Sequence, residues 1–352
     1  MTHVVIVLLG LWLLFTILRS MVRIALMNRH SRDMYADVTA RAVHMAVTLR
    51  LRRAVNIHPV LVWIFPAYML ALIFVYFLGA MIAFALLYWG THAVDSWHRA
   101  LIASGSALNT LGFATPMTTW GQWLAIPEGA LGLGIVVFLF TFIPSYQAVI
   151  RSREDKTSWL YVRAGDRPSA ITLLEWCQRA GIGGHMGAVW ESWEDWFRVL
   201  ADTHSVLPML TVSPSVQHGQ SWVLAAAVVL DAAALAASSL DSHDGEAARI
   251  CLRTGTRALL AIADALGRAN PAPEPLTAHP SLGSYEAARA RLCSAGLPMK
   301  LAVERENQWR EFLSFRQEYQ EALFFIARRT FAGIDQVLVD YAWISPASTR
   351  PE

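Results

Sequence analysis

The chain has 352 residues, 55% of them hydrophobic and 16% charged, with a formal net charge of +2 and a mean hydropathy of +0.37. A soluble domain carries about 25% charged residues, so a wholly soluble chain is excluded, and +2 is too small for a nucleic-acid-binding protein. Cys177, Cys251 and Cys293 show no paired spacing, which excludes a disulfide framework or zinc site and fits a reducing cytoplasm.

The apolar excess lies in residues 1–150. The first apolar stretch runs from Val4 to Met27, interrupted by Arg19 and Arg23. Its Met1-Thr2-His3 start has no Lys or Arg and no small-residue cleavage site follows. It therefore reads as an uncleaved helix rather than a signal peptide. Val60–Tyr88 and Gly129–Ile150 are free of charge and exceed the roughly 20 residues that cross a bilayer. The connector 28–59 holds Arg29, Arg32, Arg41, Arg50, Arg52 and Arg53, and Arg151, Arg153 and Lys156 follow the third stretch. The segment 91–128 holds Arg99 alone. Basic loops stay in the cytoplasm, so the pattern predicts a multi-pass protein of the cell (inner) membrane. Its N-terminus lies outside and its C-terminal part in the cytoplasm. Residues 33–55 read equally as an amphipathic helix on the inner lipid headgroups or as a plain connector.

Within residues 91–128, Ser96–Asn109 predicts a short helix, too short to span, which stops at Thr110-Leu111-Gly112-Phe113-Ala114-Thr115-Pro116. A short helix followed by an extended, Gly-containing segment between two full spans is the layout of a re-entrant loop. Such backbone is tolerated at membrane depth only where it is buried or lines water, and its carbonyls can then replace the water shell of a cation.

On these residues, Val60–Ser152 resembles the two-helix pore module of potassium channels, whose filter reads Thr-Val-Gly-Tyr-Gly-Asp. Trp97 and Ser104 sit where the family's pore helix has an aromatic and a serine. Trp120-Gly121-Gln122 is similar to the opening of its inner helix, and Gly132 stands where the family keeps a hinge glycine. The resemblance implies a filter made of Thr110, Leu111, Gly112, Phe113 and Ala114 and a homotetramer around it. The first four would supply carbonyls, and Phe113 would pack sideways against pore-helix aromatics. The permeant species would be K⁺ or another monovalent cation, with no cofactor and no bound catalytic metal. Two positions depart from the family. Ala114 replaces the second filter glycine, and a left-handed backbone there costs alanine on the order of 1 kcal/mol. Thr115 replaces the aspartate, removing an outer ring of negative charge. A weakly selective pore and a non-conducting relic both stay open. Gly132 reads as a hinge or, with Gly129 and Gly134, as a close-packing surface. Pro144 reads as a gate kink or a passive bend.

The remainder is helical, with segments expected at Ser169–Ala180, His185–Thr203, Gln220–Leu240, Gly245–Leu266, Ser284–Ala295 and Val303–Val339. Residues 269–281 form a proline-rich linker and 343–352 a tail. Val223–Leu240 is apolar enough to consider as a span, but Asp231 at its centre favours a buried core helix. Trp190, Trp193, Trp196 and Phe197 share one helical face, read as packing; Glu191, Glu194 and Asp195 form its solvated side. His185, His204 and His218 read as capping or packing residues. No nucleotide-binding glycine motif and no nucleophile, base or metal cluster is visible, so no enzyme is expected.

The fold class expected is an all-α membrane protein. It comprises an N-terminal transmembrane helix (1–27), a basic connector (28–59), a pore module (60–152) and a helical cytoplasmic domain (153–345). The function expected is a potassium-channel-like cation channel. Its partners are the lipid bilayer, monovalent cations, further copies of the chain, and a ligand or protein at the cytoplasmic domain. The alternative is a membrane-anchored oligomeric scaffold or sensor with a non-conducting pore-like module.

Overall fold

The computed structural model describes residues 2–26, 33–51, 63–215, 217, 219–267, 281–301 and 305–330. Among these the chain is all helical, with one isolated antiparallel bridge between Leu240 and Met299. It divides into two compact units, residues 1–148 and 149–352. Four helices are long and apolar enough to cross a membrane: Thr2–Ile24, Ile64–Gly90, Thr119–Phe138 and Trp222–Ser239. The protein is thus an all-α chain of membrane type.

The first unit contains α1 (Thr2–Leu26), α2 (Met34–Leu51), α3 (Ile64–Gly90), α4 (Trp97–Leu108) and the first part of α5 (Thr119–Ala164). α1 packs along α3 through glycines. A Cβ on Gly10 would meet the Ala83 carbonyl oxygen at 3.0 Å, one on Gly79 would meet Ile17 at 2.7 Å, and one on Gly90 would meet Val7 at 2.7 Å. Small residues let helix backbones approach closely where lipid gives no hydrophobic drive for association. At the other end of this seam Asp33 accepts from Ser20 Oγ (2.7 Å) and from the amides of Tyr35 and Ala36 that open α2. Ser20 Oγ also pairs with Tyr76 Oη of α3 at 2.7 Å. α2 packs on α3. Its exposed Met34, Val38, Met45 and Leu49 fall on one stripe at helical spacing.

The third apolar segment begins earlier than its composition suggests. α5 starts at Thr119, not Gly129, and continues through Pro127 and Pro144 to Ala164. Thr118 opens it, accepting from the Gly121 amide through Oγ1 (3.1 Å) and from the Gln122 amide through its carbonyl (3.0 Å). Glu128, which directly precedes the charge-free stretch Gly129–Ile150, is fully buried inside the helix packing.

The second unit is a bundle of the end of α5 with α6 (Ala170–Arg179), α7 (Gly187–His204), α8 (Pro208–Val212), α9 (Trp222–Ser239), α10 (Gly245–Ala265), α11 (Leu282–Ser294) and α12 (Arg305–Arg329). These match the expected segments to within a few residues. Residues 331–339 of the expected last helix, the linker up to residue 280, the tail and His218 lie outside the described residues. Every residue of α9 is buried, packed against α6, α10 and α12. This fourth membrane-length helix is therefore encased by protein. Asp231 accepts from Tyr319 Oη and faces Arg316 at 3.7 Å. Lys300 Nζ donates to the carbonyls of Ala237 (2.9 Å) and Ser238 (3.1 Å), closing the C-terminal end of α9 as a cation there should. Trp190, Trp193, Trp196 and Phe197 are all buried in this core.

His204 is fully buried. Arg153 Nη1 lies 3.4 Å from its Nε2, and Thr203 Oγ1 lies 2.9 Å from its Nδ1. A guanidinium only donates, so Nε2 accepts and Nδ1 carries the proton. Burial first, and the Arg153 charge second, hold the ring well below the usual histidine range. The imidazole stays neutral when folded but protonates in the unfolded chain below about pH 6.5. The unfolded state then binds more protons, so stability is full above that pH and is lost as pH falls below it, by up to about 1.4 kcal/mol per pH unit. Denaturant melts of the protein between pH 7 and 5 should show this slope, and His204→Gln should flatten it.

Candidate functional site

The candidate site is built at the end of α4. Ser96 caps this helix, accepting from the Arg99 amide at 3.4 Å. The helix lasts only to Leu108, after which the chain runs without regular structure to Thr119. Two residues turn the backbone left-handed there: Thr110 at φ +56° and Gly112 at φ +71°. Gly112 has no Cβ to object, and nothing lies within 4 Å of where one would stand. Thr110 is β-branched, and such a conformation costs it on the order of 1–3 kcal/mol. The strain expected at Ala114 sits at Thr110 instead, because the φ of Ala114 is not positive.

The amides of this loop turn back toward α4. Leu111 N–H donates to the Ser106 carbonyl at 2.8 Å, Gly112 N–H reaches the same oxygen at 3.5 Å, and Ala114 N–H donates to Ser106 Oγ at 3.0 Å. In a planar trans peptide the preceding carbonyl points opposite to the N–H. The carbonyls of Thr110, Leu111 and Phe113 therefore aim away from α4. Among the described residues they accept no hydrogen bond. The Leu111, Phe113 and Met117 side chains are 64%, 70% and 74% exposed. Among the described residues Phe113 does not pack on the aromatic residue of α4 in its own chain; Trp97 packs edge-on against Trp89 of α3, at 5.8 Å between rings.

Gly132 lies on α5 where that helix meets the end of α4. A Cβ there would stand 1.9 Å from the Leu108 carbonyl oxygen, while one on Gly134 would meet nothing within 4 Å. Of the two readings of Gly132, the contact surface is the one with geometry behind it. Pro144 is exposed, and α5 continues beyond it.

One constellation was missed in the sequence. Glu128, the sole charged residue between Arg99 and Arg151, is fully buried, as are Tyr88 and Ser104. Tyr88 Oη of α3 donates to Glu128 Oε2 at 2.5 Å, and Ser104 Oγ of α4 contacts Oε1. Ser104 Oγ also reaches the Met81 carbonyl of α3 at 2.9 Å. A lone carboxyl in an apolar stretch was the available signal, since ionisable groups at membrane depth are costly and rarely idle.

Family models, curated proteins and solved structures yield no match to this chain. Among the described residues no three His, Cys, Asp or Glu side chains group as metal ligands.

Proposed function

We propose that the chain is the subunit of a monovalent-cation channel resembling potassium channels, with Thr110–Ala114 as its filter. The observation that carries this reading is the outward set of the Thr110, Leu111 and Phe113 carbonyls, their amides being turned to Ser106. In hydrocarbon each unsatisfied carbonyl costs several kcal/mol, so the loop faces water and ions rather than lipid. Several copies must surround it. Four copies give the ring in which such oxygens replace a cation's hydration shell. The exposed Leu111, Phe113 and Met117 then meet neighbouring subunits. In this reading the N-terminus lies outside the inner membrane, and the second unit is a cytoplasmic assembly or gating domain that takes a ligand or protein partner. Thr115 leaves the outer mouth without a ring of carboxylates, which lowers discrimination between K⁺ and Na⁺.

Purified protein in planar bilayers under a K⁺/Na⁺ gradient should pass cation current. The reversal potential reads the selectivity. Gly112→Asp is expected to reduce that current at least a hundredfold with expression intact, because it adds a Cβ where φ is +71° and a charge beside the carbonyls. Absence of K⁺ and Na⁺ permeation in the unaltered protein refutes the channel reading and leaves the scaffold or sensor.

A further inference from the structure

Glu128 is fully buried, and its carboxyl oxygens contact two neutral hydroxyls, Tyr88 Oη and Ser104 Oγ. Ser104 Oγ also reaches the Met81 carbonyl, which as a mid-helix group of α3 already accepts within its own helix. A neutral carboxylic acid fits this set: Glu128 donates to Ser104 Oγ, Ser104 donates to Met81 O, and Tyr88 donates to the remaining Glu128 oxygen. Among the described residues no Lys, Arg or His forms an ion pair with Glu128. Arg99 is exposed and paired with Asp95 at 3.0 Å. An ionised carboxylate without a partner at this depth costs several kcal/mol.

The three side chains come from the three elements that frame the loop. Tyr88 is two residues from the end of α3, Ser104 is in the middle of α4, and Glu128 is on α5 one turn before Gly132. Ser106, two residues beyond Ser104, holds the loop amides. We infer that Glu128 is a positioning residue, a neutral carboxylic acid that clamps α4 between α3 and α5 and so sets where the Thr110–Thr115 carbonyls stand. Its importance to conduction rests on the channel reading, but its protonation and its hold on the loop do not.

Two measurements on the full-length protein in lipid decide it, and neither needs ion flow. First, infrared spectra at neutral pH should contain a protonated-carboxyl band that Glu128→Gln removes and Tyr88→Phe shifts. Spectra of the unaltered protein and Glu128→Gln that coincide in that region overturn the inference. Second, loop position is read by thiol labelling of Phe113→Cys in a Cys293→Ser background, the other cysteines, Cys177 and Cys251, being buried. Glu128→Ala should change the labelling rate tenfold or more. Glu128→Gln, whose amide can donate to Ser104 and accept from Tyr88, should return it to within about twofold of the unaltered rate. Equal rates in all three, or a Gln variant as perturbed as Ala, overturn the clamp. A protein that passes no current refutes the channel reading and still yields both answers.

Discussion

Gly132→Ala is expected to cripple the first unit although it adds a single methyl group. The new carbon would stand 1.9 Å from the Leu108 carbonyl oxygen and 2.8 Å from its carbon. Both atoms are backbone, so no side chain can swing aside. α5 and the end of α4 must part, and the loop that follows Leu108 moves with them. Overpacking of this kind costs typically 1–3 kcal/mol, and more against backbone. Gly134→Ala is the internal control, because its methyl meets nothing within 4 Å and alanine favours helix over glycine by up to about 1 kcal/mol. Thermal melts in detergent should fall for Gly132→Ala and hold or rise for Gly134→Ala. Equal melts for the two variants would contradict the packing described.

Asp231→Ala is the change expected to cost the second unit most. The carboxyl is enclosed at the middle of α9, accepts from Tyr319 Oη and faces the buried Arg316 guanidinium. Removing one partner of a buried pair leaves a charge in the core without its counterpart, worth about 3–5 kcal/mol. Replacing both, as Asp231→Leu with Arg316→Met, should recover most of that loss, because the penalty lies in the stranded charge and not in the pair itself. Tyr319→Phe, which keeps the ring and removes only the donor, should cost about 1–3 kcal/mol. Urea unfolding followed by tryptophan fluorescence reads all three, since Trp190, Trp193, Trp196 and Trp222 lie in the same core.

Much of the fold was legible because composition and period carry it. α1 and α3 are runs of apolar residues with no alternative home. α4 is set by Ser96 at its start and by the Thr110-Leu111-Gly112 turn at its end. The helices of the second unit follow from caps such as Ser169, whose side chain and Thr172 satisfy each other's backbone amides, and from the tryptophan face of α7. The start of α5 was not legible in composition, although the resemblance, which sets Trp120-Gly121-Gln122 at a helix opening, falls one residue from Thr119. A charged residue normally closes an apolar span, and nothing local reveals that the partners of Glu128 come from α3 and α4, forty and twenty-four positions away. The same holds for Arg153, which looks like a residue of a basic cytoplasmic flank. It is buried, donating to the carbonyls of Leu210 at 3.1 Å and Pro214 at 3.2 Å. At the loop, Gly112 takes the left-handed conformation that glycine accepts freely, while alignment with the family's second glycine put the strain at Ala114. The backbone bends at Thr110 because the amides after it must reach Ser106.

The complete enclosure of α9 bears on how the chain is made. While the ribosome is still synthesising the second unit, this helix emerges as an apolar segment long enough to attract the insertion machinery that has just threaded the preceding ones. Asp231 at its midpoint adds about 2.5–3.5 kcal/mol to the transfer into lipid, which turns the segment away from the bilayer. The carboxyl later takes its place opposite Arg316. One side chain thus disfavours insertion of the segment into lipid and takes part in the folded core.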